Sequence, residues 1–276
     1  LAFLLMDLWR RQLPRHANVV MNRYLARTGD ENGLSLLPLF LSCRASVRAK
    51  TSATAARLQS DAKEREGLQS LARQYLAMAG DLLHPPRPSL IAIGGFSGSG
   101  KSTLALSLAP HVGAVPGAVV LRSDEIRKGL SGVSPLDHLD AGGYAPVVNE
   151  RVYTRLAETA ALVVRSGHSA IVDAVFSRSA DRRAIERVAA GASVPFAGLW
   201  LDAPESTLVA RAEGRRNDPS DADAAVIRTQ RSQETGRIDW HRIDASGTAA
   251  AVAALGLAHV QRLFPQSTNG VSHALA

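Results

Sequence analysis

Residues Leu90 to Leu104, LIAIGGFSGSGKSTL, leave few folds open to this chain. Four apolar residues, Leu90, Ile91, Ala92 and Ile93, predict a short strand buried in a parallel sheet. A glycine-rich turn follows, and then a pattern that continues only as helix. Inside the stretch, Gly95-x-x-x-x-Gly100-Lys101-Ser102 has the spacing of a phosphate-binding loop. Gly95, Gly98 and Gly100 admit backbone conformations barred to residues with a Cβ, so successive amide N–H groups can converge on phosphate oxygens. The anion then sits on the positive end of the helix that follows. The candidate binding run is Gly95, Phe96, Ser97, Gly98, Ser99, Gly100, Lys101, Ser102 and Thr103. Lys101 has the reach for β- and γ-phosphates, and the Ser102 hydroxyl suits Mg²⁺, a cation that prefers hard oxygen ligands. ATP and Mg²⁺ are the cofactors this pattern implies.

The 276 residues are 46% hydrophobic, enough for the core of one large or two small domains. Cys43 is the single cysteine, which excludes an internal disulfide and a cysteine-based zinc site and fits a reducing cytoplasm. The longest apolar runs, such as Leu34 to Leu41 broken by Pro38, are too short to span a bilayer. The opening LAFLLMDLWRR has neither the charged leader nor the small-residue cleavage site of a signal peptide, and reads as a start in mid-domain. A net charge of +7 raises the question of nucleic acid. The surplus lies in residues 1–80, with 12 Lys+Arg against 6 Asp+Glu; residues 81–276 carry 20 against 19. A polynucleotide partner for the second part is therefore not favoured.

Residues 1–80 are helical in pattern, with Leu4, Leu5, Leu8 and Trp9 at one end and Leu68, Leu71, Ala72 and Tyr75 at the other. They read first as a helical packing module. The segments LAFLLMDLWRR, NRYLARTGD and LPLFLSCRASVRAK, within residues 1–60, also resemble the C-terminal helical lobe of an aminoglycoside-phosphotransferase-like domain. In one bacterial family such a domain is fused upstream of a P-loop kinase-like ATPase. The resemblance implies that the catalytic Asp residues of that domain precede Leu1, leaving a catalytically dead remnant. In residues 81–89 the prolines Pro85, Pro86 and Pro88 predict a stiff extended link between two separate cores, with His84 facing solvent. The P-loop domain is expected over 90–264 and a disordered tail over 265–276.

Beyond the loop, strands are predicted at Ala118–Arg122, Ala170–Asp173, Val194–Leu201 and Trp240–Ile243. Helices are predicted at Asn149–Ser166, Asp181–Ala190, from Glu205, and at Thr248–Phe264. These make an α/β fold, a P-loop NTPase with a five-stranded parallel sheet and a helical lid, preceded by a small all-α segment. Ligands gather at the carboxyl ends of such strands. Asp124-x-x-Arg127 lies at one of those ends, where Asp124 could take a proton from an acceptor hydroxyl and Arg127 hold a phosphate or the acceptor. The alternative is that Asp124 caps a helix starting at Glu125. Asp173 ends the strand expected beside the loop strand, the place for a carboxylate that orients Mg²⁺. Ala174, Val175 and Phe176 follow it, with no carboxylate to activate water, which favours transfer over hydrolysis. Arg211 and Arg215 stand one helical turn apart in R-x-x-x-R-R-x-D-x-S-D-A and could close over the transferring phosphate. The loop 128–146 is expected to be mobile and to read the acceptor.

In that order the parts over 90–264 resemble the small-molecule and polynucleotide kinases that include gluconate kinase, zeta toxin and bacteriophage polynucleotide kinase. The resemblance implies Asp124 as general base, Arg127 as acceptor or phosphate contact, and Arg211 and Arg215 as lid arginines. It does not extend to the loop 128–146. The reading is an ATP- and Mg²⁺-dependent phosphotransferase with a small-molecule acceptor. A regulatory ATPase acting through a protein partner and a polynucleotide 5′-hydroxyl kinase are the alternatives.

Overall fold

The computed structural model describes residues 1–134, 136–139, 141–214, 220, 224–232 and 235–265. Helices α1 (Ala2–Arg10), α2 (Pro14–Thr28), α3 (Leu37–Leu58) and α4 (Ala62–Leu82) come first. Then follow β1 (Leu90–Gly94), α5 (Lys101–Leu108), β2 (Val119–Arg122), α6 (Ser123–Leu130) and α7 (Pro146–Arg165). The chain continues through β3 (Ala170–Asp173), α8 (Ser179–Gly191), β4 (Phe196–Asp202), α9 (Glu205–Glu213), α10 (Ala224–Ser232), β5 (His241–Asp244) and α11 (Ala249–Leu263). All strand pairs are parallel, in the order β2-β3-β1-β4-β5. The expected α/β sheet is thus present, with β3 beside β1.

The strands are continuous apolar runs because both faces of the sheet are covered. Every residue of β1 and β3 is buried. Side chains alternate between the faces, so Leu90, Ala92, Val119, Leu121, Ala170 and Val172 join one cluster, with α7 and α8. Ile91, Ile93, Ile171, Leu199 and Leu201 join another, with α5 and α11. Register places Ile93 beside Asp173, and Asp173 beside Arg122, so the carboxyl ends of β1, β3 and β2 lie level.

The proline link joins two units whose apolar interiors are continuous, where two separate cores had been expected. Leu5, Met21, Leu41, Ala45 and Tyr75 of the helical segment belong to the same cluster as Leu90 and Val119 of the sheet. The reason is an edge. β2 is an outer strand, and an outer strand leaves N–H and C=O groups without strand partners. Asn18 and Asn22, one turn apart on α2, cover them: Asn18 Nδ2 donates to Ala118 O at 3.0 Å, and Val120 N donates to Asn22 Oδ1 at 2.7 Å. The link itself is shorter than 81–89, because α4 runs on to Leu82. His84 is exposed as expected.

Boundaries elsewhere shift by a few residues. α7 starts at Pro146, since proline at the first helical position gives up an N–H that has no partner there. α6 runs to Leu130 and a 3₁₀ turn spans Ala141–Tyr144, so the loop 128–146 carries structure at both ends. Arg215 and residues 266–276 lie outside the described residues. Among the described residues no helix is long and apolar enough to cross a membrane.

Candidate active site

The loop between β1 and α5 has the backbone its glycines foretold. Gly95, Gly98 and Gly100 take φ of +138°, +86° and +93°. At Gly98 a Cβ would also lie 2.2 Å from the carbonyl oxygen of Leu208, so α9 sits directly on the loop. Lys101 opens α5, and its Nζ donates to Phe96 O at 3.1 Å. The Ser102 hydroxyl donates to Asp173 Oδ2 at 2.5 Å, bringing a loop hydroxyl and a strand-end carboxylate together. These two adjacent oxygens are hard ligands of the kind Mg²⁺ takes. Among the described residues no group of three or more His, Cys, Asp or Glu could hold a metal, so a cation here would also need oxygens from its nucleotide.

A cleft of about 810 Å³ extends from the loop. It is lined by Ser97, Gly98, Gly100, Lys101, Ser102 and Thr103, and also by Asp124, Arg127, Asp173 and Arg211. Gly95, Phe96 and Ser99 complete the loop behind this lining, with Ser97 and Ser99 buried. Asp124 does not cap a helix. α6 begins at Ser123 with Arg122 at its N-cap position, so Asp124 falls in the first turn, on the cleft wall. Burial, and then the Asp173 carboxylate, push the Asp124 carboxyl above the usual range, while Lys101, Arg122 and Arg127 pull the other way. Arg127 is buried, donates to Gly143 O at 2.8 Å, and lies 4.8 Å from the Tyr144 ring centre. It therefore fixes the turn that walls the far end of the cleft.

Arg211 departs from expectation. It lines the cleft, but its guanidinium donates to Ala245 O at 2.7 Å and Gly247 O at 2.8 Å, carbonyls that follow β5. Helical spacing showed which side of α9 it occupies and not which neighbour it meets. The arginine thus holds α9 to the loop after β5. Its partner in the expected pair, Arg215, lies outside the described residues.

Four residues were not anticipated. Arg122 contacts both Ser102 and Asp173. Gln230 of α10 accepts from the loop amide of Ser97 at 2.9 Å. Tyr153 and Arg182 hold the segment after β3. There Phe176 has φ +52°, uncommon for a residue with a side chain. Its amide donates to Tyr153 Oη at 3.0 Å, and its carbonyl accepts from Arg182 at 2.7 Å. Burial first pushes the Tyr153 hydroxyl pKa well up, so it stays protonated. Arg182 also donates to the carbonyls of Thr235 and Arg237, tying this segment to the stretch after α10. Only Arg122, at a predicted strand end, carried a sequence signal that could have marked it.

The family model AAA_33, described as an AAA domain, matches residues 90–235, more than half of the chain. An uncharacterized protein of Mycobacterium tuberculosis is 31% identical over 254 residues, covering 89% of this chain and 48% of that protein. The adenylyl-sulfate kinase of Myxococcus xanthus is 31% identical over 117 residues, 42% of this chain and 59% of that one. The chain thus spans about half the length of the curated relatives it matches. Among solved structures, a gluconokinase from Sinorhizobium meliloti superposes with a TM-score of 0.45 at 21% identity, covering 65% of this chain and 95% of that chain.

Proposed function

The chain belongs to the AAA_33 family of AAA domains, and from that premise we propose that it is an ATP- and Mg²⁺-dependent phosphotransferase acting on a hydroxyl of a small-molecule acceptor. One observation carries this reading: Lys101, Ser102, Asp173, Asp124 and Arg127 line a single cleft. Bound Mg²⁺·ATP supplies the transferable phosphoryl group and a divalent charge. The loop amides and the N-terminus of α5 hold phosphate oxygens, and Lys101 neutralises charge on them. Ser102 and Asp173 hold the cation. Asp124 would accept the proton of the acceptor hydroxyl as its oxygen bonds to the γ-phosphorus and the bond from that phosphorus to the β,γ-bridging oxygen breaks, so that ADP leaves, and Arg127 would hold the acceptor end.

The residues after Asp173 are Ala174 and Val175, which offer no carboxylate to activate water, and this supports transfer. We read residues 1–60 as an inert helical lobe, whose role here is to cover β2, and the setting as the cytoplasm. The test is ATP consumption by wild type and Lys101→Ala against panels of sugars, nucleosides, antibiotics and 5′-hydroxyl oligonucleotides. Turnover that depends on one acceptor class and on Lys101 supports the reading. Turnover at full rate without any acceptor would move it to a regulatory ATPase.

A further inference from the structure

The carboxyl ends of β2 and β3 meet in register at Arg122 and Asp173. The Arg122 guanidinium donates from Nη2 to Ser102 Oγ at 3.0 Å, and its Nε stands 3.4 Å from Asp173 Oδ2. Its Nη1 is 3.3 Å from Glu125 Oε1. The side chain is 10% exposed and that of Asp173 6%, so solvent screens this contact poorly. Ser102 Oγ accepts from Arg122 and donates to Asp173 at once. A fixed cation thus rests on the same hydroxyl and carboxylate that the proposed function assigns to a divalent cation.

We propose that Arg122 and the divalent cation compete for the Ser102–Asp173 pair, so that Arg122 holds metal affinity down until nucleotide is present. This competition rests on the functional reading above and follows from charge. A guanidinium is permanently protonated and cannot give way by losing its proton. Coordination of a cation by Ser102 uses the same oxygen that now accepts from Arg122, and places like charges side by side. Phosphate oxygens entering with the metal add a second anionic partner for the displaced guanidinium beside Glu125, on the side facing the cleft. Metal and nucleotide therefore bind with positive coupling beyond that which shared phosphate ligands give, and Arg122 is the positioning residue that adds it.

The test measures Mn²⁺ binding to the full chain by calorimetry, with and without a non-hydrolysable ATP analogue, in wild type, Arg122→Met and Arg122→Lys. Arg122→Met is expected to bind Mn²⁺ without nucleotide at least about tenfold more tightly than wild type, the scale on which one nearby charge moves such equilibria. Its coupling between metal and nucleotide is expected to shrink accordingly. Arg122→Lys, which keeps the charge, is expected to stay near wild type, and it tests the idea through retained coupling should the methionine variant fail to fold. Unchanged or weaker Mn²⁺ affinity in folded Arg122→Met, or loss of coupling in folded Arg122→Lys, overturns the proposal. If wild type binds neither Mn²⁺ nor the analogue, the functional reading falls and this inference with it. If wild type binds both and Arg122→Met matches it, only the inference falls.

Discussion

The backbone amide of Ser97 donates to the side-chain oxygen of Gln230 across 133 residues of sequence, at 2.9 Å. The bond joins the phosphate-binding loop to α10, and Leu208 of α9 packs on Gly98 beside it. Glu205 pairs with Arg228 at 3.6 Å and with Arg231 at 3.5 Å, linking α9 to α10 at the surface. The two helices therefore seat on the loop as one body.

Gln230→Leu removes the acceptor from a buried amide and loosens that seat. Leaving such a group unpaired costs about 1–2 kcal/mol, which corresponds to roughly 5- to 30-fold weaker binding of a fluorescent ATP analogue. Affinity equal to wild type in a folded variant would show that the bond does not order the loop for nucleotide.

Asp124→Asn is expected to act in opposite directions on activity and stability. Loss of the base should lower phosphoryl transfer by about 10²–10⁴-fold with little change in nucleotide affinity. The Asp124 carboxyl is held above its usual range chiefly by burial, so its ionisation disfavours the fold at neutral pH. The asparagine variant should therefore be the more stable at pH 7. That advantage should fade as pH falls toward the ordinary carboxylate range, where Asp124 is protonated in folded and unfolded chains alike. Denaturant midpoints against pH check this, and full transfer activity in the variant would remove Asp124 from the mechanism.

Asn22→Ala leaves Val120 N–H on the edge of β2 without its 2.7 Å partner. A loss of about 1–2 kcal/mol in urea unfolding is expected. Deletion of residues 1–82 goes further, exposing the β2 edge and the cluster that Leu5, Met21 and Tyr75 complete. The truncated chain is expected to aggregate on size exclusion. A soluble monomer that binds nucleotide would show that the P-loop unit folds alone.

His168 is fully buried ahead of β3, and burial lowers its pKa to about 4, with the Ser166 carbonyl opposing. The unfolded chain takes up this proton near pH 6.5, and the folded chain only near 4. Stability should thus fall as pH drops across that window, by about 3 kcal/mol from this group. His168→Leu should flatten the curve between pH 6.5 and 4 by that amount. An unchanged slope would place the acid sensitivity elsewhere.

The loop, the buried strands and the order of Asp124, Arg127 and Asp173 were legible in the residues because each depends on neighbours within a few positions. Glycine at Gly95, Gly98 and Gly100 answers to local backbone angles, and the apolar runs of β1 and β3 answer to burial on both faces. Asp173 could be placed because a strand's carboxyl end is a fixed location in such a sheet. What tertiary structure alone decided are contacts between distant parts of the chain. Arg122 reaches Ser102 and Asp173, Gln230 reaches Ser97, and Asn18 reaches Ala118. Arg211 shows the limit from the other side: periodicity assigned its face on α9, and packing gave its guanidinium to the carbonyls of Ala245 and Gly247. Periodicity carries the direction of a side chain relative to its own element. The partner it meets depends on how elements pack, and that is set by shape and charge summed over the whole fold.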